Sequence, residues 1–186
     1  MEIASIIIST CALLFTVFSF WWMSWRRGKL NCGPINYLYM GTMTESSHER
    51  GVQKIKAIGI PLILWNSGAS PLIVHKLRLC QKDLELTWDY ERSQNTYDLS
   101  RPDIEADYFS LPLSLKANEI CSINTIFNLR LDNYEFIANK STYTIQAIVF
   151  GSSKWVDVST VTFDSTGYPN DKIEYLNTYC KLYVIN

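Results

Sequence analysis

The sequence has few of the residues, and none of the short motifs, on which most enzymes depend. Only two of its 186 residues are histidine. It contains no GxxxxGK(S/T) phosphate loop, no GxGxxG fingerprint, no GxSxG nucleophile elbow and no HExxH zinc motif. His48 lies in a polar stretch and is predicted at the surface, whereas His75 shares an alternating face with Ile73 and Leu77 and is predicted to be partly buried. We therefore predict a protein that is not an enzyme and uses no cofactor.

The cysteines are too scattered to predict a metal site. After residue 25 they are Cys32, Cys80, Cys121 and Cys180, separated by 48, 41 and 59 residues. A zinc site needs two or more closely spaced Cys or His ligands. The acidic residues of 83–107 lack the spacing and the glycine of an EF-hand loop. We predict no metal and assign the cysteines to small core positions, although their even number leaves two disulfides open.

The charge pattern gives no nucleic-acid footprint. Residues 26–82 hold nine basic and two acidic side chains, residues 83–107 hold two and eight, and residues 108–186 hold six and seven. A nucleic-acid surface needs a denser basic stripe than this. Glycine and proline number only eight and six, while aromatics make up 13% of the chain. This is the composition of a folded domain with a real core, and no nucleic-acid partner is predicted.

What the chain does have is one long apolar run. Residues 3–25 carry no charged side chain over 23 positions. As a helix rising about 1.5 Å per residue, the run would be about 34 Å long, enough to cross a hydrocarbon core of about 30 Å. Its end carries the indoles and bases typical of a membrane interface: Trp21, Trp22, Trp25, Arg26, Arg27 and Lys29. We predict that residues 1–29 form a transmembrane anchor in the lipid bilayer, with a basic flank.

A cleaved signal peptide is the alternative for this run, and the sequence disfavours it. Such a peptide has a basic N-terminal region, a shorter apolar core and a small-residue cleavage site. Here the first two residues are Met1 and Glu2, and the apolar run ends in bulky indoles. The bases after the run place the remainder in the cytoplasm by the positive-inside rule. A periplasmic or extracellular location stays open, since the even cysteine count and the sequon at Asn139 would fit it.

The soluble part, residues 30–186, shows the alternation of β-strands. Over residues 58–64 the even-numbered positions are all Ile or Leu and alternate with Gly59, Pro61 and Ile63, and residues 84–88 and 119–129 also show a period of two. The Gly151 turn joins residues 142–150 to 154–163 as a hairpin. Seven to nine strands with no strong amphipathic helix favour an all-β antiparallel sandwich or a small barrel.

Three further predictions concern the connections. Residues 55–65 and 72–80 are predicted to be neighbouring strands across the loop 66–71, with an edge or a bulge at Pro61 because proline lacks an N–H. Residues 44–54 are predicted to be a polar loop. Residues 91–107 are predicted to be a long acidic excursion, since they show no sustained periodicity.

Two stretches resemble immunoglobulin and fibronectin-III domains. Residues 62–74 (LILWNSGASPLIV) are similar to the region that joins strands B and C of such domains, and Tyr143-Thr-Ile-Gln-Ala147 resembles the strand that carries a tyrosine corner. The resemblance implies an Ig-like antiparallel β-sandwich after one transmembrane helix, without pointing to a particular family.

The function predicted from these features is a membrane-anchored protein-interaction module. Binding residues usually lie on loops held by a rigid scaffold, and tyrosine suits interfaces. The candidate interaction residues lie in or beside the acidic excursion: Tyr90, Tyr97, Asp98, Arg101, Asp103 and Glu105. The alternative is a membrane-tethered sensor that holds a small ligand in a β-barrel cavity.

Overall fold

A computed structural model of the chain describes residues 2–24, 26–47, 51–94, 106–107, 111–129, 140–164, 166 and 180–183, with the backbone alone at 2, 42–47, 51–55, 106–107 and 180–183. The apolar run forms helix α1, Glu2–Ser24. A single 3₁₀ turn, Lys82–Leu84, separates two of the strands. Within the described residues the strands are β1 (Leu30–Cys32), β2 (Tyr37–Ser47), β3 (Gly51–Asn66), β4 (Leu72–Gln81), β5 (Leu86–Gln94), β6 (Ala106–Asp107), β7 (Leu113–Leu115), β8 (Ile120–Leu129), β9 (Lys140–Val149), β10 (Val156–Asp164) and β11 (Cys180–Tyr183).

The strands form one antiparallel sheet that nearly closes on itself. Its order is β10-β9-β4-β5-β8-β3-β2-β11, and the short strands β1, β6 and β7 pair with β3, β5 and β4. The two ends of this order approach each other, since β10 lies beside both β1 and β11. Ser159 of β10 hydrogen-bonds the Cys32 thiol of β1 across this gap. The predicted all-β, antiparallel character and the single N-terminal helix are confirmed at this level.

The interior of the sheet is filled by large side chains. Trp88, Phe127, Tyr143 and Phe163 are almost fully buried. The Tyr143 ring stacks on Phe163 with 5.0 Å between ring centroids, and Trp88 meets Tyr143 edge-on at 6.4 Å. Such aromatic pairs add about 0.5–1.5 kcal/mol each to the stability gained from burial. The alternation predicted for residues 58–64 is confirmed, because its even-numbered residues all point into this core.

The predicted burial of His75 is wrong, and a β-bulge is the reason. The pairing of β4 with β9 shifts between Val74 and Lys76. Because the extra residue reverses the alternation, Val74 and Leu77 are both buried while His75 and Lys76 are exposed. Nothing in the local sequence distinguishes this bulge from a regular strand.

The predicted pairing of the strands at 55–65 and 72–80 is also wrong. β3 pairs with β8 on one side and with β1 and β2 on the other, whereas β4 pairs with β9, β5 and β7. Pro61 therefore lies in a central strand, opposite Asn124 of β8. On the other side of β3, the pairing with β1 ends at Leu64 and the pairing with β2 begins at Gly59, so Pro61 lies between the two. The missing N–H of proline is thus tolerated at a break between two partner strands.

Two predicted loops are partly strand. Most of the stretch 44–54 lies in a hairpin, since β2 runs to Ser47 and pairs there with Gly51 at the start of β3. The first four residues of the predicted excursion, 91–94, continue β5, and the last two form β6, which pairs with β5. Residues 95–105 lie outside the described part of the chain.

Candidate functional site

Helix α1 joins the β domain through a short segment that the domain holds closely. The segment is residues 26–29, and the loop between β3 and β4, residues 67–71, wraps around it. The amides of Ala69 and Ser70 donate to the Arg26 carbonyl over 2.9 and 3.0 Å, and the amide of Ser67 donates to the Lys29 carbonyl over 3.0 Å. Three backbone hydrogen bonds within four residues make this a fixed junction between the segment and the domain.

The fully buried Asn66 is the centre of the junction. Its Oδ1 accepts from the amides of Lys29 (3.1 Å) and Gly68 (2.9 Å). Its Nδ2 lies within hydrogen-bond distance of three carbonyl oxygens, those of Ser70 (2.8 Å), Leu115 (3.3 Å) and Lys116 (3.1 Å). One side chain therefore links residues 26–29, the 67–71 loop and the turn after β7. The sequence marks this position only as part of a turn-rich stretch.

Two glycines allow the two backbones of the junction to touch. A Cβ atom added at Gly68 would lie 2.1 Å from the Arg27 carbonyl oxygen and 2.4 Å from the Gly28 Cα. At Gly28, a Cβ would lie 2.9 Å from the Ser70 carbonyl oxygen. Only a residue without a side chain fits at Gly68, since every atom that it would meet belongs to backbone.

The predicted anchor residues have different surroundings. Trp21 and Trp22 are exposed on the last turns of α1, and Trp25 lies outside the described residues. The guanidinium of Arg26 covers the Trp22 ring at 4.7 Å from its centroid and donates to the Ser67 carbonyl. Arg26 is therefore part of the junction, while Arg27 and Lys29 are exposed cations.

Two further turns lie at the same end of the domain as the junction. In the first, residues 116–119, the Glu119 carbonyl accepts from the Asn66 amide over 3.1 Å. In the second, residues 150–155, the Phe150 amide donates to the Ile73 carbonyl over 2.8 Å, three residues after Ser70. We call this end, comprising residues 26–29, 67–71, 116–120 and 150–156, the junction rim.

The rim carries exposed apolar side chains. Ile120, Phe150 and Val156 are 69%, 73% and 52% exposed. The same segments carry four exposed cations: Arg27, Lys29, Lys116 and Lys154. The acids of the rim and its margin are engaged, because Glu119 accepts from the Lys116 amide and Asp157 accepts from Gln146. Large exposed apolar groups together with exposed cations are a surface suited to a lipid interface.

Of the candidate interaction residues, Tyr90 belongs to the sheet. It lies in β5, half-buried, with its ring edge-on to Phe127 at 6.1 Å and its hydroxyl 3.0 Å from the Ser93 Oγ. The others lie outside the described residues: Tyr97, Asp98, Arg101, Asp103 and Glu105. His48 also lies outside the described residues.

Three of the four cysteines after the helix are free thiols in the structure. Cys32 and Cys121 flank Leu64 in the strands on either side of β3. Two strand spacings, about 9.6 Å, therefore separate their backbones, more than the roughly 7 Å that a disulfide spans. Cys80 lies in β4 between Thr87 and Thr144. Only the backbone of Cys180 is described.

Burial raises the pKa of the Cys32 thiol from 9.0 to about 11, against the opposing effect of its hydrogen bonds with Ser159 and Ile63. The folded state thus keeps this proton at pH values at which the unfolded chain releases it. The stabilisation is fully present below pH 9.0 and is lost as the pH rises toward about 11.

We therefore expect alkaline pH to destabilise the wild type more than Cys32→Ala, by about 2 kcal/mol after allowance for partial exposure of the thiol. The free energy of unfolding of both proteins is measured with urea at neutral pH and near pH 11, and the neutral-pH values correct for the packing lost with the thiol. If both proteins lost the same free energy of unfolding between the two pH values, the raised pKa of Cys32 would be contradicted.

Among the described residues, no group of three or more His, Cys, Asp or Glu side chains is placed to hold a metal ion. A scan against protein-family models found no match to the chain, and a search of curated proteins found no match either. The candidate site therefore rests on the geometry of the rim and the junction.

Proposed function

We propose that the protein is a single-pass membrane protein that presents its β domain as a protein-interaction module, without catalysis. One observation carries the membrane part of the proposal: α1 has a mean hydropathy of 2.2 over residues 3–24, and none of it is buried by the described domain. Fully burying one large aliphatic or aromatic side chain contributes roughly 1.5–3 kcal/mol. A helix that exposes at least twelve such residues to water is therefore strongly driven into lipid.

The proposed side of the membrane is the cytoplasm. The exposed bases Arg27 and Lys29 follow the helix directly, which fits the positive-inside rule. The free thiols of Cys32, Cys80 and Cys121 suit a reducing compartment, in which disulfides rarely persist.

The packed interior favours an interaction module over the alternative ligand sensor. A ligand-binding barrel needs a central cavity, and here the aromatic cluster of Trp88, Phe127, Tyr143 and Phe163 occupies that space. We retain the Ig-like sandwich as the proposed fold type, supported by the buried Tyr143 at the position of the predicted tyrosine corner. A solid β scaffold of this kind usually binds through its loops and faces.

Membrane insertion and orientation are tested with an introduced thiol. Cys32 itself is a poor reporter, because its raised pKa leaves little reactive thiolate. The native cysteines are therefore changed to alanine, and a new thiol is introduced as Lys82→Cys. Lys82 is exposed at the end of the domain away from α1. We expect the protein to resist carbonate extraction and the thiol to react with an impermeant maleimide only after cell lysis. Extraction by carbonate would contradict the anchor, and labelling of intact cells would contradict the cytoplasmic location.

Protein interaction is tested by substitution in the segment between β5 and β6. Deleting residues 92–106 would also remove Arg92, Ser93 and Gln94, which are buried in β5, so substitutions are the cleaner change. Tyr97→Ala, Asp98→Ala and Asp103→Ala are combined, and Lys82→Ala with Glu85→Ala serves as the control at exposed positions elsewhere.

We expect crosslinking in native membranes, followed by purification and mass spectrometry, to recover the same proteins with wild type and control. The triple variant should lose them. Equal recovery with the triple variant would reject this segment as the interface, and no specific recovery with any of the three proteins would reject the interaction module.

A further inference from the structure

We propose that the junction rim of the β domain is a lipid-binding surface, which inserts Phe150 and Ile120 into the interfacial layer of the bilayer that α1 crosses. The inference rests on the proposed membrane anchor and adds a second contact between the protein and the membrane. The ligand is a phospholipid surface, and its recognition combines apolar insertion with attraction between the cations of the rim and anionic headgroups.

The position of the rim follows from the hydrogen bonds of the junction. Ser70 bonds to the Arg26 carbonyl, and Ile73, three residues later, bonds to the Phe150 amide. Three residues of extended strand span about 10 Å. On the other side, Ile120 follows Glu119, whose carbonyl bonds to the Asn66 amide. Both apolar side chains therefore lie close to residues 26–29, the first described residues after α1.

The fixed junction keeps this end of the domain at the membrane. The headgroup layer on each side of the hydrocarbon core is about 5–8 Å thick, comparable with the reach of three extended residues from Ser70 to Ile73. Residues 26–29 bond to the domain through both backbone and the Asn66 side chain, and the Arg26 guanidinium lies over the Trp22 ring of α1. The domain is therefore tethered closely to the end of the helix. The same tether raises the effective lipid concentration at the rim.

The chemistry of the rim differs from that of the opposite end. Phe150 sits next to the Gly151 turn, a position where polar residues are usual, and no described side chain covers it. The rim adds Ile120, Val156 and four exposed cations. At the opposite end, Leu84 is 39% exposed between the charged residues Asp83 and Glu85. Leu84 is therefore the matched control position.

The test is site-specific photocrosslinking of the full chain. Four proteins are made, each with p-benzoylphenylalanine in place of one residue: Phe15, Phe150, Ile120 or Leu84. Each is reconstituted in vesicles of phosphatidylcholine and phosphatidylglycerol, irradiated and analysed by mass spectrometry for an added phospholipid. All four side chains are exposed in the structure, so the replacements leave the core intact, and urea unfolding verifies this.

We expect phospholipid adducts at positions 15, 150 and 120, and background yield at position 84. Adducts at position 15 with background yield at both 150 and 120 would overturn the lipid-binding rim while leaving the membrane anchor in place. Failure of the chain to enter vesicles, with no adduct at position 15, would overturn the anchor and the rim together. Crosslinks from position 150 to a second copy of the chain, without lipid, would also overturn the proposal.

Discussion

Replacing Asn66 with alanine should lower the free energy of unfolding of the β domain by about 3 kcal/mol or more. The substitution removes a side-chain amide that is fully buried and engages two backbone amides and three carbonyls. A buried backbone group left without a partner costs about 1–3 kcal/mol. The amides of Lys29 and Gly68 both lose the Asn66 Oδ1 acceptor, so the expected cost exceeds that of one ordinary hydrogen bond.

Asn66→Asp distinguishes the contribution of the Oδ1 acceptor from that of the Nδ2 donor. A carboxylate would keep the acceptor facing Lys29 and Gly68 but would turn negative oxygen toward the carbonyls of Ser70, Leu115 and Lys116. We therefore expect Asn66→Asp to be at least as destabilising as Asn66→Ala at neutral pH, and less so at acidic pH, where the protonated carboxyl donates a hydrogen bond.

The matched control is Asn31→Ala in the same junction. Asn31 is half-buried and donates to the Lys29 carbonyl and the Ser67 Oγ, at 3.0 and 2.9 Å. It makes fewer bonds and lies closer to water, so its loss should cost less than about 1 kcal/mol. Urea unfolding of the full chain in micelles, followed by tryptophan fluorescence, measures both variants. Similar midpoints for Asn66→Ala and Asn31→Ala would contradict the central role of Asn66.

Local sequence patterns identified most elements of the fold. The hairpin at Gly151 was predictable because two alternating runs flank a turn signal, and the structure has β9 and β10 there. The apolar run before Arg26 was predictable from its length and lack of charge, and it forms α1. In each case the information is local: a period, a turn residue or an uninterrupted apolar composition.

Pairing and register could not be read from such patterns. The β-bulge at His75 reverses the face of every later residue in β4, and it is set by the partner strand β9. Likewise β3 and β4 are consecutive in sequence but separated in the sheet by β5 and β8. Both features depend on which distant segments pair with each other. The periodicity of a single strand is the same for every possible partner, so it does not predict the pairing.

The candidate site escaped prediction for a related reason. Asn66 and Gly68 were visible as turn residues, but their importance comes from residues 26–29, about forty positions earlier in the chain. Phe150 was assigned to a strand because it is apolar, and only the position of the turn shows that it is exposed. The sequence predicts the apolar helix, whereas the hydrogen bonds that hold residues 26–29 to the domain are visible only in the three-dimensional structure.

Replacing Gly68 with valine should break that coupling, and it is expected to be among the most damaging single substitutions in the described chain. Even alanine would place its Cβ 2.1 Å from the Arg27 carbonyl oxygen. Relief requires residues 26–29 to move away from the 67–71 loop, which breaks the bonds to the Arg26 and Lys29 carbonyls. Three backbone bonds at about 1 kcal/mol each, with further strain from overpacking, give an expected loss of roughly 3–5 kcal/mol.

The specific consequence is a junction open to protease. Arg26, Arg27 and Lys29 are tryptic sites, and in the wild type two of their carbonyls are bonded to the loop. We expect trypsin to release the β domain from vesicles much faster for Gly68→Ala and Gly68→Val than for wild type. Gly151→Ala is the control: its φ of +86° carries conformational strain, but no atom lies within 4 Å of the added Cβ. Because Gly151→Ala tests strain without backbone collision, equal release from Gly68→Val and Gly151→Ala would show that residues 26–29 are not clamped by the loop.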